Sequence, residues 1–461
     1  MAASVRKWIL SLALVAVSLF VFNRWIVIHM VNDILRAKII RFQITCLIQA
    51  FMIVMTLFNW INLSDLFDTV NDKVKIDGSD IDKEKKSSKF RFEIHWREIA
   101  NWKQYSVQSA LWRGFLMTAL ILSQFVYTSF SFLISSEPYL VTYLFFLCLA
   151  FSVQLFAAQV VLYAVKTLLK LIDKNSLKHR SRPSKFPRIA VVLYALFIVT
   201  VGFYNTFKVP EIKEVNIPIK GLPSHLDKFT ITFVSDIHLG PTVGKRTLEK
   251  IVHMINYLHS DIVIIGGDLV DGRVDQLTSA TESLDWIKSK YGVYFVTGNH
   301  EYYTTDVHNW FENLESLGVK ILHNSNVVIK GAGNTGICLA GVDDPTADTF
   351  KFMDHTMDIG GALRTCDESS PVILIAHQPK AAKAALMSNH RVDLVLSGHT
   401  HGGQMFPLTI GAYFFNPYYA GLYRHGEHSH VYVSMGTVYW GFPIRFGTNR
   451  EITKITLVTK D

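Results

Sequence analysis

The sequence predicts a multi-span α-helical membrane region followed by an α/β domain, an αββα sandwich of two mixed sheets flanked by helices. Three observations lead there. Hydrophobic residues make up 49% of the 461-residue chain, high for a soluble enzyme. Several apolar runs in the first half reach the roughly 20 residues that a bilayer demands. Between Phe229 and Gly403, short apolar runs alternate with helical patterns, the texture of two-face-buried parallel strands joined by crossover helices.

The chain divides by charge. Residues 1 to 208 carry 25 Lys/Arg against 12 Asp/Glu, whereas residues 209 to 461 carry 21 against 26 and hold 15 of the 18 histidines. The net charge of +8 therefore belongs to the first half, and no nucleic-acid partner is expected for the second. Domain boundaries follow: residues 1 to 208 form a membrane region with about five spans, and residues 209 to 461 form one α/β domain.

The first span, Trp8 to Phe22, follows Arg6-Lys7, but Asn23-Arg24-Trp25 replaces the small residues of a cleavage site, so it is expected to remain as an anchor. Ile39 to Ile61, Phe115 to Ile134, Tyr139 to Val165 and Ile189 to Phe207 follow, with Ser135 to Pro138 closing a helical hairpin between the third and fourth. Apart from Arg24 no span has a central charge, which reads as an anchor and not a transport path. The loops from Asn62 to Arg113 and from Lys166 to Arg188 are rich in Lys/Arg, which places them in the cytoplasm and the C-terminal domain outside it or in a lumen. Arg36, Lys38 and Arg41, in the first loop, run against that assignment. Phe90 to Trp112 alternates aromatic and basic residues and reads equally as an interfacial helix or as a plain loop.

Lys208 to Pro223 reads as linker and entry strand. After it, five strand-like runs each end in a candidate metal ligand. ITFVS leads to Asp236 and His238, IVIIG to Asp268, VYFVTG to Asn299 and His300, VILIA to His377, and LVLSG to His399 and His401. Open α/β sheets gather their ligands just past the carboxyl ends of their strands, so these residues are expected to converge. Carboxylate, imidazole and amide oxygen suit Mn, Fe or Zn, and a shared Asp268 can bridge two such ions. Each residue also has an ordinary reading: Asp236 and Asp268 as helix N-caps, His377 as a satisfied structural histidine, Asp271 and Glu301 as orienting partners of the ligands. Helical patterns fall at Lys245 to His259, Gln276 to Lys290, Val307 to Leu317 and Pro379 to Met387. Short β runs close the chain at His430 to Ser434 and Glu451 to Val458.

Taken in order, Asp236-x-His238, Gly267-Asp268-x-x-Asp271, Gly298-Asn299-His300-Glu301, His377 and Gly398-His399-Thr400-His401 resemble the motif series of the calcineurin-like metallophosphoesterases. Gly402-Gly403-Gln404 and Gly441-x-Pro443-x-Arg445 are similar to segments of that family's membrane-associated branch. The resemblance implies a dinuclear metal-dependent phosphoric ester hydrolase acting on a phosphoester or pyrophosphate. Asp236, His238 and His401 would hold one ion, Asn299, His377 and His399 the other, and Asp268 both. A metal-bound hydroxide would attack phosphorus, and His300 would protonate the leaving oxygen or stabilise the pentacovalent phosphorus. Gly436 to Trp440 departs from the branch's more glycine-rich turn.

Arg273 and Arg445 are candidate ligands of the substrate phosphate, with a surface or salt-bridge role as the alternative for either. Met405 to Tyr423 is aromatic and is expected in the core of the second sheet, with an apolar substrate cavity or contact with the bilayer as the alternatives. The membrane tether and this stretch together point to a lipid-linked or membrane-proximal substrate. The competing class is a catalytically silent membrane scaffold or receptor with a metal-stabilised domain. Cys338 and Cys366 are expected to be free thiols unless the domain is lumenal.

Overall fold

A computed structural model describes residues 33–68, 105–172, 185–331, 333, 335–352 and 355–460. Residues 1–32, with the first expected span, lie outside the described residues, as do most of the loop after Asn62 and the segment 173–184. The described chain forms two units: Gln49–Val126 with Leu144–Val201, and residues up to Ile48 with Tyr127–Tyr143 and Gly202–Asp461.

Four of the expected spans fall on described residues, and all four are helices long and apolar enough to cross a membrane. They cover Leu35–Leu63, Val107–Phe132, Leu140–Leu169 and Phe186–Thr206. Their helices are α1 (Asp33–Leu63), α2 (Val107–Leu122) continued by α3 (Val126–Phe132), α4 (Leu140–Ile172) and α5 (Phe186–Thr206). In the first-named unit Leu63, Leu116, Leu120, Leu155, Val192 and Ala195 pack into one apolar cluster. Buried Asn59 there donates to the Ser152 carbonyl at 2.9 Å and accepts from Gln159 at 2.8 Å, a polar link of the kind that joins helices where water is absent.

In the C-terminal half, alternation along short apolar strands builds a three-layer core. The first sheet has the order β1-β12-β2-β3-β4-β5, formed by Glu211–Lys220, Glu451–Lys460, Thr230–Val234, Ile262–Ile265, Val293–Phe295 and Val319–Ile321. The second runs β10-β11-β9-β8-β7-β6, formed by Gly421–His425, Ser429–Val433, Leu394–Ser397, Val372–Ile375, Ile337–Gly341 and Ser325–Ile329. Both are mixed: β2 through β5 are parallel while β12 and β2 are antiparallel, and β7, β8, β9 and β11 are parallel between antiparallel edges.

Successive side chains on a strand point to opposite faces, so one strand feeds two cores. Ile231, Phe233, Ile264, Ile373 and Leu396 fill the space between the sheets. Val263 and Ile265 face the other way, toward α6 (Lys245–Tyr257), α7 (Val274–Thr281) and, beyond α8 (Asn299–Thr304), α9 (Val307–Ser316). Val372, Leu374 and Val395 face α11 (Ile359–Leu363) and α12 (Pro379–Leu386); the short α10 (Thr346–Phe350) precedes them. This is the expected sandwich of two mixed sheets flanked by helices.

The expected entry strand within Lys208 to Pro223 is β1, which pairs in parallel register with the last strand, Glu211 opposite Glu451 through Lys220 opposite Lys460. Two expectations change. The aromatic stretch is core only in part: Met405 is buried and Tyr418 and Tyr423 pack against the second sheet's core, but α13 (Leu408–Phe415) has no buried residue, and Phe414 and Phe415 are 75% and 77% exposed. Cys338 and Cys366, expected as free thiols, form a disulfide. Cys338 sits on β7 and Cys366 just past α11, and the 28-residue separation lets the chain fold back so that their Cα atoms lie 5.7 Å apart. Closing a loop of that length restricts the unfolded chain by about 3.5 kcal/mol. A Cys338→Ser, Cys366→Ser double variant is therefore expected to melt several degrees lower by calorimetry, and an unchanged midpoint would show that the bond does not contribute.

Candidate metal centre

The seven expected ligands follow five strand ends, three in the first sheet and two in the second, and all lie on the same edge of the sandwich. Asp236 and His238 follow β2, Asp268 follows β3, Asn299 opens α8 after β4, His377 follows β8, and His399 and His401 follow β9. Most of these turns are locally unfavourable. Asp236, His238, Asp268, His399 and His401 have φ of 57°, 55°, 52°, 71° and 51°, a left-handed backbone that non-glycine residues rarely adopt. Such strain persists where surrounding contacts over-determine it, and it gathers at functional sites. It also rules out the N-cap reading of Asp236 and Asp268, since an N-cap has β-region backbone. Two glycines leave room for the carboxylates: a Cβ on Gly298 would stand 2.2 Å from Asp268 Oδ1, and one on Gly398 2.3 Å from Asp236 Oδ2.

The donor atoms fall into two groups that share Asp268. In the first, His238 Nε2 and His401 Nε2 are 3.1 Å apart, and His401 Nε2 is 3.3 Å from Asp236 Oδ1. His238 Nε2 is 3.7 Å from Asp268 Oδ2. In the second, His377 Nε2 is 3.1 Å from the same Asp268 Oδ2, and His399 Nδ1 is 2.8 Å from Asn299 Oδ1. His377 Nδ1 donates to the Gly266 carbonyl at 2.7 Å, so its Nε2 is the nitrogen that faces Asp268. That buried atom makes no hydrogen bond. An orphaned imidazole nitrogen aimed at a shared carboxylate oxygen fits a cation between them, a proton or a metal ion.

Outer contacts hold these groups in place. Asp271 Oδ1 accepts from His238 Nδ1 at 3.0 Å and from His300 Nδ1 at 2.6 Å, turning both Nε2 atoms away from it. Glu301 accepts the N–H groups of Gly298, Asp268 and Leu269 at 2.6, 3.0 and 2.8 Å, tying the turn after β3 to the turn after β4. Asp271 thus contacts one candidate ligand and His300, and Glu301 the turns that carry two others.

The electrostatics favour a cation. Burial pushes His300 down, yet Asp268 and Asp271 outweigh it and carry it up to about 9. Burial likewise opposes, and Asp268 and Asp236 drive, a rise at His377. Burial and His377 push His399 down to about 3, so it offers a neutral imidazole. The carboxylates thus create an excess of negative charge that stabilises a proton or a metal ion.

The two arginines fall elsewhere. Arg273 is exposed, and its Nε donates to Asp275 at 3.1 Å in a surface groove shared with Asp306 and Asn309. Arg445 is 1% exposed and turned inward. It donates from Nε to the Val438 carbonyl at 2.9 Å and from Nη1 to the His401 carbonyl at 2.7 Å, with Nη2 3.1 Å from His401 Nδ1. It thereby braces a candidate ligand.

Three residues not singled out in the sequence frame the site. The Tyr303 and Trp440 rings lie 4.9 and 5.8 Å from the His300 ring. Arg41 of α1 donates from Nη1 to the Tyr303 carbonyl. Tyr303 follows His300 by one helical turn, a signal that was there to be read, but nothing in the sequence connects Arg41 to residues 260 positions later. His323 and His355 flank buried Asp343 at 2.7 and 3.2 Å, a separate group of residues.

Residues 229–403 match the model of the calcineurin-like phosphoesterases. The chain is 42% identical over 356 residues to a transmembrane protein with metallophosphoesterase domain from Danio rerio, covering 76% of this chain and 82% of that one. It is 41% identical over 358 residues to the protein of the same name from Bos taurus, covering 75% and 80%. An uncharacterized metallophosphoesterase of Helicobacter pylori is 38% identical over 292 residues, covering 63% and 76%. The first two alignments are longer than residues 209–461, so the likeness extends into the membrane half.

Proposed function

Because the chain belongs to the calcineurin-like phosphoesterases, we propose that it is a membrane-anchored hydrolase that cleaves a phosphoester or pyrophosphate with two divalent ions, Mn, Fe or Zn. The observation that carries this reading is the pair of donor groups meeting at Asp268 Oδ2, with no expected ligand missing. Asp236, His238 and His401 would hold one ion, Asn299, His377 and His399 the other, and Asp268 both. Ions held there supply Lewis acidity toward the phosphoryl oxygens and make a water acidic enough to ionise near neutral pH.

The chain's own residues do the rest. Asp271 fixes the His238 and His300 rings through their Nδ1 atoms. His300, whose raised affinity for a proton comes from Asp268 and Asp271, holds that proton for the leaving oxygen. The domain faces away from the cytoplasm, a reading supported by the basic second and fourth loops and by a disulfide of the kind that persists in oxidising compartments. The reading is tested with the full chain in nanodiscs, loaded with Mn and offered phosphomonoesters, phosphodiesters, nucleotide pyrophosphates and phospholipids. Turnover of none of them by folded, Mn-bound protein would overturn it.

Two features support a lipid-linked or membrane-proximal substrate. α13 begins five residues after Gly403 and exposes Ile410, Tyr413, Phe414 and Phe415. Its root, Gln404, donates to the Trp440 and Phe442 carbonyls, and that same loop meets the end of α5: Arg445 N donates to the Gly202 carbonyl at 2.9 Å, and Asn205 to the Arg445 carbonyl. The aromatic helix is thus continuous, through one loop, with the end of a candidate span, where aromatic side chains suit the lipid interface. Burying two phenylalanines is worth about 3 kcal/mol or more. A Phe414→Asp, Phe415→Asp variant is accordingly expected to lose at least about tenfold in hydrolysis of nanodisc phospholipid and to keep its rate on a soluble phosphoester. An equal loss on both would remove the lipid reading.

A further inference from the structure

We propose that Arg41, carried by the first described membrane helix, is a ligand of the substrate phosphate, so that the membrane half completes the binding site. The inference rests on the phosphoesterase reading above and adds a residue from outside the α/β domain.

At 1.5 Å per residue the 31 residues of α1 span about 46 Å, against roughly 30 Å of bilayer hydrocarbon. The surplus of about ten residues extends beyond the hydrocarbon. Arg36, Lys38 and Arg41 put that surplus at the N-terminal end, since three cations in two turns are poorly tolerated in lipid. The same turns belong to the unit that contains the α/β domain. Ala37 and Ile40, 1% and 0% exposed, pack with Tyr302, Val307, Ala347, Phe350 and Phe352. Arg41 lies four residues after Ala37 and therefore on the same helix face.

That face meets α8, the short helix that begins with Asn299 and His300. Arg41 Nη1 donates to the carbonyl of Tyr303, whose ring lies against His300, and the guanidinium is within electrostatic reach of the Asp271 carboxylate. A guanidinium has five N–H groups in a rigid planar fork, and the Tyr303 carbonyl tethers one edge of it and takes only one of them. The candidate centre is lined by Asp236, Asp268 and Asp271, which repel an incoming phosphate wherever the ions leave their charge uncompensated. A fixed guanidinium at that rim supplies the missing positive charge and paired donors that match phosphate oxygens. Phosphate held by Arg41 also sits at the height where α1 leaves the hydrocarbon, the position of a lipid headgroup.

The test uses the full chain in dodecyl maltoside micelles, loaded with Mn, with inorganic phosphate as the titrant in calorimetry and bis(4-nitrophenyl) phosphate as the substrate. Arg41→Ala is expected to weaken phosphate binding by roughly tenfold or more, and to raise KM more than it lowers kcat. Arg41→Lys, which keeps the charge without the fork, is expected to recover part of the affinity, with Mn content unchanged in both. Arg36→Ala, which removes a contact between the same helix and the Lys351 carbonyl, is expected to bind phosphate as the wild type does. Unchanged phosphate affinity in Arg41→Ala overturns the proposal, as does Mn loss in both Arg41 variants, which marks a structural role. If the wild type turns over no substrate but Arg41→Ala still loses phosphate binding, the binding role stands and the phosphoesterase reading fails. Competition by added phosphatidic acid at wild-type Arg41, absent in Arg41→Ala, identifies a lipid headgroup as the source; no competition identifies a soluble phosphate.

Discussion

Asp268→Asn is expected to abolish hydrolysis while leaving the fold in place. Asp268 Oδ2 is the one atom near both donor groups, 3.7 Å from His238 Nε2 and 3.1 Å from His377 Nε2, while Oδ1 accepts the His300 N–H at 2.8 Å. An amide keeps the shape and one oxygen, but it removes the charge that would hold two cations together. Substitutions one shell further out from a metal typically lose 10- to 100-fold, so loss of the shared ligand is expected to exceed about a hundredfold in kcat/KM. The metal-free protein should melt somewhat lower than the wild type, because burial opposes the Asp268 charge but His377 and His300 outweigh it, and Asn leaves those rings without it. Full turnover by Asp268→Asn would refute the ligand assignment, whatever its stability.

Arg445→Met is expected to have the larger effect on stability. Burial pushes the Arg445 guanidinium down to about 9, a measure of how unfavourable that charge is in its surroundings. It persists because the Val438 and His401 carbonyls accept its protons. Methionine fills the space but leaves the Val438 carbonyl without a donor, at about 1 to 3 kcal/mol, while the His401 carbonyl keeps the Gln404 N–H. For a domain of this size that lowers the thermal midpoint by roughly 2 to 12 °C. Because His401 loses its brace, Mn affinity should also fall by about 10- to 100-fold. Calorimetry and Mn titration read the two effects separately. A variant with normal stability and normal Mn affinity but a raised KM would restore Arg445 to the substrate, as its position in the Gly441-x-Pro443-x-Arg445 segment first suggested.

The contrast between the two arginines shows how far local sequence reaches. Arg445 and Arg41 both offer a guanidinium suited to phosphate, and a motif picks out only the first. Packing then turns Arg445 inward against His401 and brings Arg41 from a membrane helix to the rim. The aromatic run from Met405 repeats the lesson: apolar content predicts burial, but α13 follows a tight turn that lifts it clear of the second sheet, so its apolar side chains face outward.

The sequence by itself determined the sandwich, the four described spans and the set of candidate ligands. Short continuous apolar runs, bilayer-length apolar runs and the ends of buried strands are local patterns with few physical solutions. Only the tertiary structure decided the pairing of β1 with the final strand, the joining of Cys338 to Cys366, the inward turn of Arg445 and the approach of Arg41. Each depends on which distant surfaces meet, and that is set by the packing of whole layers, which no local periodicity encodes.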